Sequence, residues 1–257
     1  MEKKKDINRE KIFNKIFDIT KTYENKAILK DKAICVEANA IYFLKLLKDN
    51  NIIVDAIITD PPYNISKPNN FNTLNRAGID FGEWDKNFDM TSWITIASDL
   101  VKPGGAIIIF SAWREMGDIA KALENNDFVV KTMLRWVKKN PMPRNVERLY
   151  VSDVEYAVWA IKKGDKWTFN KGDCSYRRPE YSSGVVCGKE RLGHPTQKSI
   201  HIMKEIIETH TNENDIIIDP FSGSFTTMAA CISTNRKFIG SELDGKWIEV
   251  AKERFDI

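Results

Sequence analysis

The motif Asp60-Pro61-Pro62-Tyr63 carries the residue types with the most specific chemistry in this sequence. It follows the apolar run 54–59, whose valine and isoleucines are typical of a buried parallel strand. Neither proline has an N–H to continue the hydrogen bonding of a strand, so the strand should end there. The sequence therefore predicts a carboxylate, two rigid residues and an aromatic ring at the carboxyl end of a core strand, where open α/β sheets bind ligands.

These side chains suit a reaction at an exocyclic amine of a nucleic-acid base. The lone pair of such a nitrogen is delocalised into the ring, which makes the amine a weak nucleophile. The Asp60 carboxylate and the rigidly held Pro61 carbonyl can each accept one N–H and so favour a tetrahedral, more nucleophilic nitrogen. The Tyr63 ring offers a face on which an extruded base can stack. This chemistry requires no covalent intermediate.

A second apolar run, 215–218, ends in the turn Asp219-Pro220-Phe221-Ser222-Gly223-Ser224. Gly223 permits close approach of the backbone to a ligand. Glu242 follows about 20 residues later at the end of the next predicted strand, where an acidic residue can bind a ribose diol. The pattern predicts a nucleoside-containing cofactor, and the absence of G-x-G-x-x-G and P-loop motifs disfavours a pyrophosphate. A tight strand–helix turn with a surface glutamate would show the same pattern.

The elements that must position these motifs alternate along the chain. Strands are predicted at 33–36, 54–59, 106–110, 128–137, 154–161, 215–218 and 237–240. Helices are predicted at 7–22, 41–48, 91–101, 114–125, 226–233 and 247–255, with another opened by residues 194–198. This alternation predicts an α/β fold with a doubly wound, mostly parallel sheet of the seven-stranded type.

The predicted helix at 7–22 precedes the first core strand. Residues 1–32 are therefore predicted to form an N-terminal helical extension and residues 33–257 the main domain. One face of this helix carries Ile12, Phe13 and Ile16, with lysines opposite. That face either packs on the same domain or binds a partner.

Composition excludes several classes of protein. The net charge of +3 is only mildly basic, and the chain has no apolar stretch of the length a membrane span needs. Its N-terminus has no signal-peptide pattern, so we expect a soluble, cytoplasmic protein without a membrane partner. The four cysteines form no C-x-x-C pair, which favours reduced thiols. The three histidines lack the spacing of metal ligands, and no metal site is predicted.

Together the two motifs resemble those of the amino-methyltransferases of DNA, which use S-adenosylmethionine to methylate adenine N6 or cytosine N4. The catalytic motif precedes the cofactor motif, which resembles the β class of this family. His194-Pro195-Thr196-Gln197-Lys198 and Phe81-Gly82-Glu83-Trp84-Asp85 are similar to further segments of its small, restriction-associated adenine enzymes. The resemblance covers residues 33–257 and implies a Rossmann-like methyltransferase fold with S-adenosylmethionine as cofactor.

The resemblance also implies residue roles. The catalytic residues would be Asp60, Pro61, Pro62 and Tyr63. The cofactor-binding residues would be Asn39, Asp60, Thr196, Gln197, Lys198, Asp219, Phe221, Ser222, Gly223, Ser224, Thr226 and Glu242. Glu242 would hold the ribose, and Lys198 would meet the cofactor carboxylate or a DNA phosphate. Two positions depart from the family pattern: Asn39 replaces an aspartate near the cofactor adenine, and Phe225 replaces a glycine after Ser224.

Contact with double-stranded DNA is predicted for three regions, 64–80, 138–148 and 162–193. The last interleaves basic and aromatic residues, as a surface that tracks the backbone and stacks on bases does, and it is the predicted target-recognition insertion. A solvated loop would share this composition. The candidate contacts to bases or phosphates are Asn72, Asn140, Arg144, Arg177 and Arg178.

The favoured function is transfer of a methyl group to adenine N6 in a specific short DNA sequence, with base flipping. In the family, aspartate at the first motif position usually accompanies adenine. A cytosine-N4 or RNA-base methyltransferase of the same fold is one alternative. Another is a catalytically weak DNA-binding homologue, which Phe225 and Asn39 motivate. A second copy of the chain and a restriction endonuclease acting on the same site are further candidate partners.

Overall fold

The computed structural model describes residues 2–30, 32–63, 88–141, 143, 146–193 and 196–255. Side chains are described from Arg9 onward within these ranges, except those of 24–30 and 189. Within this part of the chain, no helix is both long and apolar enough to cross a membrane.

The described residues form one sheet flanked by helices. The strands are β1 Ala27–Lys30, β2 Ala33–Glu37, β3 Val54–Thr59, β4 Val101–Ser111, β5 Phe128–Lys138, β6 Val154–Lys162, β7 Glu180–Ser183, β8 Ile216–Asp219 and β9 Lys237–Glu242. The helices are α1 Glu2–Thr20, α2 Ala40–Asp49, α3 Ser92–Ser98, α4 Met116–Glu124, α5 Ile200–His210, α6 Thr226–Ser233 and α7 Gly245–Phe255, and two 3₁₀ segments cover Lys21–Lys26 and Gly188–Glu190.

The strand order is β1-β2-β9-β8-β3-β4-β6-β5-β7. All strands run parallel to β3 except β1 and β6. The predicted doubly wound sheet of the seven-stranded type is confirmed. Its seven strands are β2, β3, β4, β5, β6, β8 and β9. The short edge strands β1 and β7 were not predicted. In β7 only Tyr181 is buried, so this strand has no apolar run that the sequence could reveal. Its pairing with β5 is made by backbone atoms.

The element boundaries differ most before β4. The predicted helix 91–101 ends at Ser98, and β4 begins at Val101 rather than at 106. Val101 pairs with Val54 at the start of β3, and the register then shifts before the pair Ala56 and Ala106. Gly104, with φ of +74°, lies within this irregular stretch. The Pro-Gly-Gly sequence therefore marks a bulge inside a strand rather than a loop before it.

Two apolar clusters fill the two faces of the sheet. Helices α2, α3 and α4 cover one face, and α5, α6 and α7 cover the other. Phe13 and Ile16 of α1 are buried in the first cluster, with Ile12 packed beside them. The apolar face of α1 therefore packs on its own domain, and β1 from the same segment extends the sheet. The division of the chain at residue 32 stays a prediction.

The topology brings both sequence motifs to one edge. From β3 the chain passes through α3 to β4 on one side, whereas from β8 it passes through α6 to β9 on the other side. β3 and β8 are neighbours, with Ile57 opposite Ile218. The sheet therefore reverses its winding between the strands that end at Asp60 and Asp219, which is where doubly wound folds bind ligands.

Candidate active site

Asp60 lies directly after β3 with both carboxylate oxygens engaged. The Tyr63 hydroxyl donates to Oδ1, and Lys198 Nζ lies 2.5 Å from Oδ2. Burial raises the pKa of Asp60 and the nearby Glu155 raises it further, whereas Lys198 and Tyr63 oppose the rise. The turn thus presents an oriented carboxylate at the carboxyl edge of the sheet.

Lys198 belongs to a chain of alternating charges. Its Nζ also lies 3.0 Å from Glu155 Oε2, and Glu155 Oε1 lies 2.6 Å from Lys138 Nζ. Only 5% of the Lys198 side chain is exposed, and the two carboxylates raise its pKa against the effect of burial. The resemblance implied a cofactor carboxylate or a DNA phosphate as its partner, but here its ammonium contacts two protein carboxylates.

Sequence reasoning missed Glu155. It lies on β6, which runs antiparallel between β4 and β5 and carries the side chain to the edge where Asp60 lies. The available signal was an ionisable residue within the apolar run 154–161, since unpaired acidic residues are rarely placed in core strands. Despite its burial, Lys198 and Lys138 hold the pKa of Glu155 below its usual range.

The turn after β8 is braced against the turn after β3. Asp219 Oδ1 accepts from Thr59 Oγ1 at 2.6 Å and from the Phe221 backbone N–H at 3.1 Å. Burial raises the pKa of Asp219 to about 6, although these donors oppose it. Asp219 therefore fixes the two motifs relative to each other as well as lining the cleft between them.

Glu242 closes the other side of the same turn. Its Oε2 accepts from the Gly223 N–H at 2.7 Å and its Oε1 from the Asp244 N–H at 2.9 Å. Burial raises the pKa of Glu242, and these backbone donors counter it. Each carboxylate oxygen retains a second lone pair, so the fixed group can also accept from a vicinal diol.

Phe225 adopts the backbone conformation that its position in the turn demands. Its φ and ψ are 59° and 28°, in the left-handed region that favours glycine, and α6 starts immediately after it. The ring is 1% exposed and packs in the core of the second face. The phenyl group therefore points away from the cleft, and the departure from the family pattern leaves the cofactor side of the turn open.

We predict that Phe225→Gly destabilises the protein. Deleting a buried phenyl group costs about 3–5 kcal/mol, whereas relief of a left-handed backbone returns about 1 kcal/mol, so loss of packing dominates. Phe225→Ala loses the same ring and keeps the strain, and it should therefore be about 1 kcal/mol less stable than Phe225→Gly. Urea unfolding measures both variants. Equal stabilities of the alanine and glycine variants would contradict the strained conformation.

One cleft gathers almost all the predicted site residues. It is lined by the catalytic motif Asp60-Pro61-Pro62-Tyr63 and by the cofactor candidates Asn39, Thr196, Lys198, Asp219, Phe221, Ser222, Gly223, Ser224, Thr226 and Glu242. Gln197 is the exception, because it does not line this cleft, and its contact with the cofactor stays a prediction. Its amide accepts from Leu192 N–H at 2.8 Å and donates to the Glu190 carbonyl at 2.6 Å, which fixes the preceding loop instead.

Apolar walls that the sequence motifs did not predict complete the cleft. Phe88 and Trp93 both make edge-on contacts with Phe221, at centroid distances of 5.4 and 5.3 Å, and Phe88 and Trp247 line the cavity. Asn39 lines it too, while its Oδ1 caps α2 by accepting from Ile41 N–H at 2.9 Å. Aromatic walls beside a fixed carboxylate fit an adenosine, and the neighbouring charged groups fit a zwitterionic amino-acid tail.

The predicted DNA contacts are spread over the described surface. The Asn140 Oδ1 accepts from Val185 N–H at 2.8 Å and so positions the backbone that follows β7. Arg178 is exposed, whereas Arg177 is half-buried and lies 3.5 Å from the Asn170 carbonyl. Asn72, Arg144, the segment 81–85 and His194 lie outside the described residues. The structure therefore assigns none of these side chains to the cleft.

Comparison with known proteins agrees with this geometry. The family model described as DNA methylase, covering N6 and N4 enzymes, matches residues 54–253. The type II methyltransferase M2.LlaDCHI of Lactococcus lactis subsp. cremoris is 31% identical over 248 residues, covering 88% of this chain and 90% of that protein. M2.DpnII of Streptococcus pneumoniae is 29% identical over 256 residues, covering 93% of each chain.

Among solved structures, the M1.HpyAVI complex with S-adenosylmethionine has a TM-score of 0.75 and 42% identity, covering 88% of this chain and 100% of that one. The PvuII cytosine-N4 methyltransferase shares the fold, with a TM-score of 0.66 at 14% identity. Fold and site thus define an S-adenosylmethionine-dependent methyltransferase. The chain belongs to the N6/N4 DNA methylase family and is a DNA methyltransferase of the restriction-modification type.

Proposed function

We propose that this enzyme methylates the N6 amine of adenine within a specific short sequence of double-stranded DNA and turns the target base out of the duplex. The observation that carries the proposal is the oriented Asp60 carboxylate, which faces the same cleft as the Glu242 ribose site. An aspartate in the first position of the motif favours adenine by resemblance to the family. The position of Asp60 in a cleft at the strand ends supports base flipping, since enzymes that modify a base in a duplex turn it out into a pocket.

The residues of this chain prepare the amine for attack. Bound S-adenosylmethionine supplies an electrophilic methyl group. The Asp60 carboxylate accepts one N–H of the amine and the Pro61 carbonyl accepts the other, while the Tyr63 ring stacks on the base. Since burial and Glu155 raise the pKa of Asp60, this carboxylate can also take the proton that the amine sheds.

DNA recognition is assigned to the surface beside the cleft. We propose that residues 162–193 form the target-recognition insertion and that Arg177 and Arg178, with Asn72, Asn140 and Arg144, contact bases or phosphates. Lys198 is proposed to stay near the cofactor tail while it pairs with Asp60. Because the named relatives are type II methyltransferases, we also propose a restriction endonuclease that recognises the same sequence, and a homodimer.

A labelling experiment tests the proposed target. The purified protein is incubated with methyl-labelled S-adenosylmethionine and duplex DNA of mixed sequence, and the product is digested to nucleosides. We expect the label in N6-methyladenine. Label in N4-methylcytosine would overturn the adenine assignment. DNA binding without label at any enzyme concentration would overturn catalysis and leave the DNA-binding homologue. A parallel reaction with RNA of the same sequence identifies an RNA-base enzyme.

A further inference from the structure

The ammonium of Lys198 lies between two carboxylates, of which only Asp60 lines the cleft. It is 2.5 Å from Asp60 Oδ2 and 3.0 Å from Glu155 Oε2. Asp60 lines the cleft, and Glu155 lies behind it on β6. The Tyr63 hydroxyl donates to the other oxygen of Asp60. An amine that binds Oδ2 from the cleft therefore competes with the Lys198 ammonium for that oxygen.

We propose that Glu155 is a positioning residue that takes the Lys198 ammonium when the amine binds Oδ2 of Asp60. Lys198 would then exchange its partner without leaving its place between the two carboxylates. This inference rests on the proposed function only because it requires that the methyl group be transferred to an exocyclic amine. It holds equally for adenine N6 and cytosine N4.

The geometry makes Glu155 a suitable second partner. Its Oε2 is buried and lies 3.0 Å from the Lys198 ammonium. Its Oε1 is held by Lys138 at 2.6 Å, which fixes the carboxylate in place. If Glu155 were absent, displacing this nearly buried ammonium from Asp60 would be strongly unfavourable, because the charge would lose both water and partner. With Glu155 in reach, Lys198 stays paired throughout.

The charged groups around Asp60 give the exchange a measurable signature. Lys198 and Glu155 face it within the network, Tyr63 donates to it, and Asp219 lies across the cleft. Glu155 raises the pKa of Asp60 and Lys198 lowers it. Removing the charge of Glu155 should therefore lower the pKa of Asp60, and removing the charge of Lys198 should raise it. An ion pair remote from Asp60 would produce no such opposite shifts, and the kinetic coupling of the two residues distinguishes the exchange from a static contact.

The test combines a titration with a double-mutant cycle. The variants are Glu155→Gln, Lys198→Met and their combination. A matched control is Glu249→Gln, whose exposed carboxylate forms an ion pair with Lys252 in α7. Carbon-13 NMR of aspartate-labelled protein, with Asp60→Asn for assignment, follows the Asp60 carboxyl without substrate. Single-turnover rates of total methyl transfer to DNA are measured above the acid limb of each variant.

We expect Glu155→Gln to slow transfer about 10-fold in the wild-type background and to have no further effect in the Lys198→Met background. The Asp60 titration should move to lower pH in Glu155→Gln and to higher pH in Lys198→Met, with Glu249→Gln unchanged in both measurements. Equal slowing in both backgrounds, or an Asp60 titration that ignores Glu155→Gln, would overturn the exchange. Label in cytosine instead of adenine would overturn the proposed target alone, because the cycle counts all transfer.

Discussion

Asp60→Asn is expected to reduce methyl transfer at least about 1,000-fold, since charge-assisted acceptance of the amine N–H and uptake of its proton are both lost. Asparagine preserves the size of the side chain. Its amide nitrogen, however, is a donor where Lys198 and the amine both require an acceptor. Single-turnover transfer from labelled S-adenosylmethionine to DNA measures the loss.

Cofactor binding separates this effect from damage to the cleft. Asp60 lines the cleft, whereas Glu242 and Asp219 hold the turn that we propose binds the nucleoside. Asp60→Asn should therefore weaken cofactor affinity by no more than about 10-fold in calorimetry. Asp99→Asn, in an exposed ion pair with Lys48, is the matched control and should retain full activity. Turnover of Asp60→Asn above a tenth of wild type would remove Asp60 from the reaction.

Arg9→Met is expected to be the most destabilising single change away from the cleft. Arg9 donates to both oxygens of Asp55, at 2.9 and 2.8 Å, and also pairs with Asp215. The side chains of Asp55 and Asp215 are only 7% and 3% exposed. Without the guanidinium, Lys102 is the cation that the described side chains leave beside Asp55, and breaking such a network costs about 3–5 kcal/mol. Urea unfolding at pH 7.5 or so measures the loss.

The loss should shrink on mild acidification. Burial and the charge of Asp55 raise the pKa of Asp215 to about 6, so protonating this carboxyl favours the folded state as the pH falls through that value. Arg9 lowers that pKa, and its removal makes protonation more favourable still. Asp55 has a lowered pKa and contributes its stability until the pH falls below its ordinary range. The deficit of Arg9→Met should therefore be largest near neutral pH and smaller near pH 5.

Arg135→Met is the matched control for Arg9→Met. Its guanidinium pairs with Glu180 at 2.9 Å, but the two side chains are 45% and 41% exposed. Exposed pairs contribute at most about 1 kcal/mol. If Arg9→Met and Arg135→Met cost the same, the buried network would not secure α1 to the sheet.

The sequence predicted the parts of the site that depend on local structure. A strand followed by Asp-Pro-Pro and a strand followed by Asp-Pro-Phe-Ser-Gly determine their own turns, and parallel strands bring such turns to one edge. The seven central strands were also predicted from local patterns, because each is marked by its own apolar residues. Glu155 was missed because its contact with Lys198 depends on β6 running antiparallel between β4 and β5, and no local pattern encodes that pairing.

For other residues, motif membership did not determine where the side chain points. Gln197 precedes Lys198 in the same segment, yet its amide turns to the backbone of residues 190 and 192. Phe225 replaces a glycine of the family pattern, and a left-handed backbone directs its ring into the core. Side-chain direction depends on dihedral angles and on the space available, neither of which residue type alone specifies.

The hydrogen bond from Thr59 to Asp219 bears on the distance between the methyl donor and the amine that accepts the methyl group. Neighbouring strands of a sheet lie about 4.8 Å apart, and an aligned displacement needs the reacting atoms about 3–3.5 Å from each other. The turns proposed to hold the amine and the methyl donor follow adjacent strands β3 and β8, and this bond links them. In the proposed function, the strand spacing of the sheet would therefore set the separation of methyl donor and acceptor. Substitutions in the proposed recognition loops would then change the DNA sequence recognised without altering that distance.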